Sequence, residues 1–127
     1  MLKSHTVLLG TVYNTDEECA PAKTKNNDYR RHVRSLFRFT YRKDFPAFDP
    51  YNITSDAGWG CMLRVSQMLM GNAQMRHLCG KEWRRGPSSD MSALRANTSY
   101  CNILRWFMDY PGPPHIYAIH HMVQVKS

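Results

Sequence analysis

A long irregular stretch, followed at once by a long helical pattern, constrains the fold of this chain most. Residues 39–60 contain Pro46, Pro50, Gly58 and Gly60, which interrupt regular secondary structure. An irregular segment of this length inside a compact domain commonly lines a site. We therefore expect residues 39–60 to form no helix and to border a functional cleft.

The helical pattern begins at Cys61 and runs to about Cys79, where Gly80 is expected to end it. Apolar residues recur along it at spacings of three and four, namely Met62, Val65, Leu69 and Ala73. Such spacing places these side chains on one face of a helix. We predict that this face packs into the core, with the methionines of the stretch acting as core filler.

The remaining segments predict shorter elements. Residues 6–13 predict a strand interrupted by Gly10, and the polar residues 14–27 predict an exposed loop. Asp28 is expected to cap a basic helix that fades near Phe39.

A further helix is expected near the end of the chain. Ser99 is predicted to cap it, and the prolines of residues 111–114 are predicted to stop it. Residues 115–127 are ambiguous between strand and helix. With 127 residues, of which 43% are hydrophobic, the chain predicts one modest domain over 1–127, built from helices and a short strand.

Composition indicates the cellular compartment of the protein and the kinds of site that it can contain. No run approaches the roughly 18 apolar residues of a membrane span, and no secretory signal is recognisable. The four cysteines include no C-x-x-C pair, and the adjacent His120 and His121 cannot converge on one ion. We therefore expect a cytoplasmic protein with reduced thiols, without a metal and without a cofactor.

The net charge of +7 raises the alternative of a nucleic-acid-binding protein. Much of this charge lies in residues 29–43, where Tyr29, Val33, Leu36 and Phe37 recur at helical spacing. The arginines between them therefore read as the solvated face of an amphipathic helix. We expect no nucleic-acid partner.

Cys61 has two interpretations. A free cysteine is commonly a small buried hydrophobic residue, but this one opens a predicted helix, where free N–H groups and the helix dipole favour a thiolate. Gly58 and Gly60 would let the backbone approach a substrate carbonyl, and Trp59 would wall the cleft. Papain-like sites have this arrangement. The other three cysteines lie in less favourable surroundings, at positions 19, 79 and 101.

Several blocks of the sequence resemble one family. They read LLG, FTYRKDFP, TSDAGWGCMLR followed by QM, RHLCGKEWR and YAIHHMVQ, and they cover most of residues 7–124. The chain is similar to the autophagins, which are autophagy-related cysteine peptidases. The resemblance implies an α+β, papain-like fold and no cofactor.

The resemblance also implies a substrate and a site. Autophagins cleave the C-terminal extension from a ubiquitin-like autophagy modifier, and they release that modifier from phosphatidylethanolamine, which brings them close to membranes. By position in the motif, Cys61 is the nucleophile, Tyr41 lies at the oxyanion site, and Trp59 and Gly60 shape a narrow slot for a substrate glycine. For Tyr41 the alternative is an ordinary half-buried tyrosine.

The general base of such a peptidase is missing. In autophagins it belongs to an Asp-Pro-His motif, which this sequence lacks. His77 would lie about 24 Å from Cys61 along a continuous helix, which excludes it. Distance does not exclude His115, His120 or His121, but papain-type partners come roughly 130 to 150 residues after the cysteine.

The missing base leads to an expectation about the whole chain. We expect residues 1–127 to be the nucleophile-bearing N-terminal part of a papain-like domain whose catalytic His/Asp half is absent. His120 matches an Ile-His pair that precedes that half in the family. The chain alone is then expected to be inactive. The alternative is a truncated, catalytically inactive fragment that binds the modifier.

Overall fold

A computed structural model describes residues 5–14, 22–86 and 91–124. The chain divides into two compact units, Met1–Leu36 and Phe37–Ser127. A single domain over the whole chain stays a prediction. No helix in the described ranges is long and apolar enough to cross a membrane.

The first unit contains a β-hairpin. Strand β1 (His5–Leu8) pairs antiparallel with β2 (Thr11–Asn14), with Val7 opposite Val12. Leu9 and Gly10 connect them and both have positive φ, 47° and 82°, as a tight hairpin turn requires. The single interrupted strand predicted over 6–13 is therefore two strands.

Helix α1 (Ala22–Ser35) follows in the same unit. It begins earlier than predicted, so 22–27 are helical rather than part of a loop, and Asp28 lies inside the helix instead of capping it. The start of the predicted loop also differs, because Asn14 belongs to β2, while 15–21 lie outside the described residues. Ala and Lys are good helix formers, and nothing between Ala22 and Asp28 interrupts a helix.

The second unit opens with the irregular segment. Residues 37–60 contain no helix or strand, and their one β-bridge joins Phe48 to Ile53. Phe37 and Phe39 from this segment are buried in the core, whereas Phe45 and Phe48 belong to a second, smaller cluster. The prediction of an irregular segment over 39–60 is confirmed.

Helix α2 (Cys61–Cys79) has the bounds predicted from the sequence. Gly80 ends it with a φ of 83°, and its N–H donates to the carbonyl of Arg76 at 3.1 Å. A positive φ at this position is what glycine supplies to a helix end.

The buried face of α2 is not the predicted one. Met62, Val65 and Leu69 are 78%, 58% and 71% exposed, and Ala73 is exposed as well. The buried positions are Arg64, Gln67, Gly71 and Met75. The prediction of an aliphatic core face was wrong.

Close packing and polar partners explain this reversal. A Cβ atom on Gly71 would lie 2.7 Å from Cδ2 of Phe37, so the absence of a side chain lets the aromatic ring reach the helix. Arg64 and Gln67 are buried because each has partners, Gln67 donating to the carbonyl of Tyr117 at 2.8 Å. Helical spacing of aliphatic residues carries no information on either effect.

The last elements are α3 (Met91–Trp106) and α4 (Ile119–Val123). Ser99 lies within α3 rather than at its start, and the helix ends before the proline-rich residues 111–114. The main core cluster packs α2 and α3 against the aromatic residues of the irregular segment, and its buried members are Phe37, Phe39, Met75, Ile103 and Phe107.

Candidate active site

Cys61 is the first residue of α2, directly after a turn over 57–59. Its side chain is exposed and its thiol is free. The first N–H groups of a helix have no acceptor within the helix, so this end can stabilise a nearby negative charge. The structure thus gives Cys61 the exposed position at a helix start that a nucleophile needs.

Tyr41 lies beside this cysteine. Its side chain is 46% exposed. Partial burial raises the pKa of the phenol, and the electrostatic influence of the nearby Cys61 and of Asp56 raises it further. The phenol therefore keeps its proton and can donate it in a hydrogen bond at the sulfur or at an oxygen close to it.

Trp59 is the last residue of the turn before Cys61 and is held by two contacts. Its indole N–H donates to the carbonyl of Ser55 at 2.9 Å, and its ring meets Phe48 edge to face at 5.8 Å. The indole is 39% exposed, so it forms a fixed wall that still faces solvent.

Asp56 connects these residues, although sequence reasoning did not single it out. It is fully buried, and its Oδ1 accepts the backbone N–H of Arg42 at 2.7 Å. Its Oδ2 accepts Nε–H of Arg64, also at 2.7 Å. Burial alone would raise the pKa of this carboxyl, but the hydrogen bonds from Arg64 and Arg42 lower it overall. Asp56 is therefore a buried carboxylate anion.

Arg64 extends this arrangement to a second carboxylate. Its guanidinium donates to both oxygens of Asp109, from Nη1 at 2.9 Å and from Nη2 at 3.1 Å. Arg42 reaches the same carboxylate through Nη1 at 2.8 Å. Burial would lower the pKa of Arg64, yet the hydrogen bonds that it donates to Asp109 and Asp56 raise it. We call Asp56, Arg64, Asp109 and Arg42 the buried ionic network.

The sequence did contain a signal for this network. Arg64 and Gln67 are spaced by three within α2, and Nη1 of Arg64 donates to Oε1 of Gln67 at 3.0 Å. An arginine and a glutamine at this spacing lie on one face of the helix, where they can form a polar cluster if that face is buried. Their carboxylate partners could not be identified by spacing.

Two of the three histidines after α3, His115 and His120, bond to backbone carbonyls. His120 is 2% exposed, its Nε2–H donates to the carbonyl of Pro46, and its ring meets Phe48 edge to face at 5.1 Å. Nδ1 of this ring has no partner within the described part of the chain. His115 donates through Nδ1 to the carbonyl of Arg105 at 2.5 Å.

The other thiols contrast with Cys61. Burial raises the pKa of the Cys79 thiol, which disfavours the nucleophilic thiolate. Cys101 is exposed within α3, and Cys19 lies outside the described residues. Over the ranges that the structure describes, no three His, Cys, Asp or Glu side chains are grouped so as to hold a metal ion.

Residues 26–127 match the family model described as the peptidase C54 catalytic domain. The chain is 44% identical over 95 residues to the cysteine protease atg4 of Dictyostelium discoideum, covering 75% of this chain and 12% of that protein. It is 38% identical over 103 residues to the cysteine protease ATG4B of Gallus gallus, covering 80% of this chain and 24% of that protein.

A third relative is matched over a longer part of this chain. The cysteine protease atg-4.2 of Caenorhabditis elegans is 32% identical over 130 residues, which covers 95% of this chain and 25% of that protein. The chain therefore spans a quarter or less of the length of these three relatives. The family implies a papain-like cysteine peptidase fold, and the α+β elements described above agree with it. Because the family model matches residues 26–127 and these relatives are 32–44% identical to it, the chain belongs to the peptidase C54 family, the autophagins.

Proposed function

We propose that this chain carries the nucleophile of a cysteine peptidase that processes the C-terminus of a ubiquitin-like autophagy modifier. The observation that carries the proposal is the exposed thiol of Cys61 at the first residue of α2, close enough to Tyr41 to raise the pKa of its phenol, in a chain of this family. A thiol at a helix N-terminus with a phenol donor beside it suits acyl transfer through a tetrahedral intermediate.

The reaction follows from the chemistry of the thiolate. The sulfur of Cys61 attacks the carbonyl carbon of the substrate glycine, and the carbonyl oxygen takes the negative charge. The Tyr41 O–H and the N–H of Cys61 donate to that oxygen. Collapse of the intermediate breaks the C–N bond, the protonated amine leaves, and water hydrolyses the resulting thioester to a carboxylate and the free thiol.

Two further residues act on the substrate in this proposal. Trp59 is fixed by its bond to Ser55 and its contact with Phe48, so it narrows the cleft next to the thiol. Gly60 directly precedes Cys61, and the resemblance to the family assigns it to the same narrow slot. Together they favour glycine as the residue whose carbonyl is attacked.

The same thiol serves a second substrate. In the lipid conjugate, the modifier's terminal glycine forms an amide with the amine of phosphatidylethanolamine, and thiolate attack on that carbonyl releases the lipid. We place the protein in the cytoplasm, with transient membrane contact through this substrate.

Proton transfer needs a further group. The leaving amine must be protonated and the thiol deprotonated, which is the work of a histidine oriented by a carboxylate or amide. The chain has no Asp-Pro-His sequence, and His115 and His120 bond to backbone carbonyls. We propose that polypeptide beyond these 127 residues supplies this pair.

The decisive experiment is a cleavage assay on the modifier precursor. The 127-residue chain alone is expected to show no turnover, whereas a longer product with an Asp-Pro-His motif is expected to cleave. In that product Cys61→Ala abolishes cleavage, and Tyr41→Phe lowers kcat about 10²- to 10³-fold, as loss of one oxyanion donor does. Cys101→Ala, which changes another exposed cysteine, is the matched control. Full activity of Cys61→Ala would refute the assignment.

The second candidate is a catalytically inactive fragment that binds the modifier, and the missing Asp-Pro-His favours it for the chain alone. A modifier with an electrophilic C-terminus distinguishes the two. Covalent capture that depends on Cys61 supports a competent nucleophile, whereas binding without capture supports the inactive fragment.

A further inference from the structure

We propose that Asp56 is a positioning residue that sets the Tyr41 phenol against the sulfur of Cys61. This inference rests on the proposed function in one respect, since that function is what gives Tyr41 and Cys61 their catalytic roles. Asp56 itself is fully buried and touches no solvent, so it acts through the two residues it holds.

The first contact fixes the segment that carries Tyr41. Oδ1 of Asp56 accepts the N–H of Arg42 at 2.7 Å, and the N–H of Asp56 donates to the carbonyl of Arg42 at 3.3 Å. The hydroxyl of Ser55 donates to the same carbonyl at 3.0 Å. Both backbone polar groups of the residue after Tyr41 are therefore bound by residues 55 and 56.

The second contact fixes the start of α2. The carbonyl of Asp56 accepts the N–H of Gly60 at 2.9 Å and that of Trp59 at 3.1 Å. The carbonyl of Gly60 in turn accepts the N–H of Arg64 at 2.9 Å, which is the first bond of the helix. The residue before Cys61 is thereby held by Asp56 from one side and by α2 from the other.

The carboxylate is itself immobile. Oδ2 accepts Nε–H of Arg64, whose other guanidinium nitrogens are bound by Asp109. Charged hydrogen bonds of this kind are short and directional, and buried ones are costly to break. Asp56 thus links the backbone next to Tyr41 to the backbone next to Cys61, through its side chain at one and its carbonyl at the other.

Two other roles for Asp56 need to be distinguished from positioning. Its charge also raises the pKa of the Tyr41 phenol directly. It also stabilises the fold through Arg64. A test must therefore measure the coupling between Tyr41 and Cys61, rather than the phenol alone or stability alone.

The experiment is a double-mutant cycle read by NMR of the full chain labelled with [ζ-13C]tyrosine. Tyr41→Phe assigns the Tyr41 signal among the seven tyrosines. In the wild-type background, Cys61→Ala is expected to shift the Tyr41 titration to lower pH, because the pKa loses the contribution of the sulfur. In the Asp56→Ala background, Cys61→Ala is expected to produce no further shift.

Three variants complete the design. Asp56→Asn removes the charge but keeps an oxygen for the N–H of Arg42, and it should retain the coupling. Asp109→Asn also disturbs the hydrogen bonds of Arg64, and it should likewise retain the coupling between Tyr41 and Cys61. Asp56→Glu keeps the charge but moves the carboxylate by one methylene, so it should weaken the coupling. Circular dichroism shows whether each variant folds. If Asp56→Ala does not fold, Asp56→Glu serves as the test in its place.

If Cys61→Ala shifts the Tyr41 titration as much in folded Asp56→Ala or Asp56→Glu as in the wild type, the proposal is overturned. Asp56 would then act on Tyr41 through its charge alone. The readout needs no substrate and no general base. A failed cleavage assay therefore counts against the proposed function alone. Coupling between Tyr41 and Cys61 that persists in Asp56→Ala or Asp56→Glu counts against positioning alone.

Discussion

Gly60 and Asp56 lie in direct contact, with the glycine Cα facing the carboxylate. A Cβ atom on Gly60 would be 2.5 Å from Oδ2 and 2.6 Å from Cβ of Asp56. The carboxylate cannot withdraw, because Arg64 and the N–H of Arg42 hold it. Glycine before the nucleophile is therefore required by packing inside the protein, independently of any substrate.

Gly60→Ala is expected to lower the free energy of unfolding by about 1–3 kcal/mol, the usual effect of an overpacked site. Urea unfolding followed by circular dichroism measures it. Gly112→Ala is the matched control, since a Cβ there meets nothing within 4 Å, and it should change stability by less than about 0.5 kcal/mol. Equal stability of the two variants would contradict the contact.

Arg64→Met is expected to be severely destabilising, although Met fills a similar volume. It leaves Asp56 and Asp109 buried without their shared cation, which costs about 3–5 kcal/mol. Thermal unfolding detects the loss. Arg38→Ala, at an exposed arginine, should melt with the wild type. A well-folded Arg64→Met protein would show that the ionic network contributes little.

Stability is expected to fall in acid through Asp56. Its folded-state pKa is depressed, so its contribution is complete above the unfolded-state pKa of about 3.9 and is lost as pH falls through the lower folded value. Asp56→Asn should therefore be less stable than the wild type at neutral pH, with a difference that narrows in acid.

Urea midpoints measured at neutral pH and below about pH 4 test this narrowing. Asp28→Asn, at an exposed aspartate of α1, should follow the wild-type curve throughout. A difference between Asp56→Asn and wild type that stays constant with pH would mean that this carboxyl does not titrate with folding.

The bounds of α2 were predictable because their signals are local. Gly60 and Gly80 flank the helix, and a positive φ at Gly80 needs no distant partner. The irregular segment over 39–60 was predictable for the same reason, since its prolines and glycines act on their own neighbours.

The buried face of α2 was not predictable because it depends on distant residues. Arg64 meets Asp109 across 45 residues of sequence, and Gln67 meets the carbonyl of Tyr117 across 50. Nor does spacing indicate that Tyr41 lies against Cys61; only the family resemblance suggested it. Asp56 was not predicted because the sequence does not distinguish a buried carboxylate in an irregular segment from an ordinary exposed loop residue.

The reversed face leads to a further prediction. Leu69→Ala should change stability by less than about 0.5 kcal/mol, because the side chain is 71% exposed. Met75→Ala, on the buried face of the same helix, should cost about 2–5 kcal/mol. Chemical denaturation of both variants compares them. A larger loss for Leu69→Ala than for Met75→Ala would restore the face predicted from aliphatic spacing.

The length of chain between the members of the ionic network has a consequence for protein synthesis. When the ribosome has added Arg64, it must add 45 more residues before the arginine's partner Asp109 exists. Until then Arg64 lacks the carboxylate of Asp109, so the contacts that fix the first turn of α2 are incomplete. Long-range contacts of this kind form late in folding. The nascent chain therefore carries all of helix α2 well before Asp109 can fix its first turn, so Cys61 is made early and positioned late.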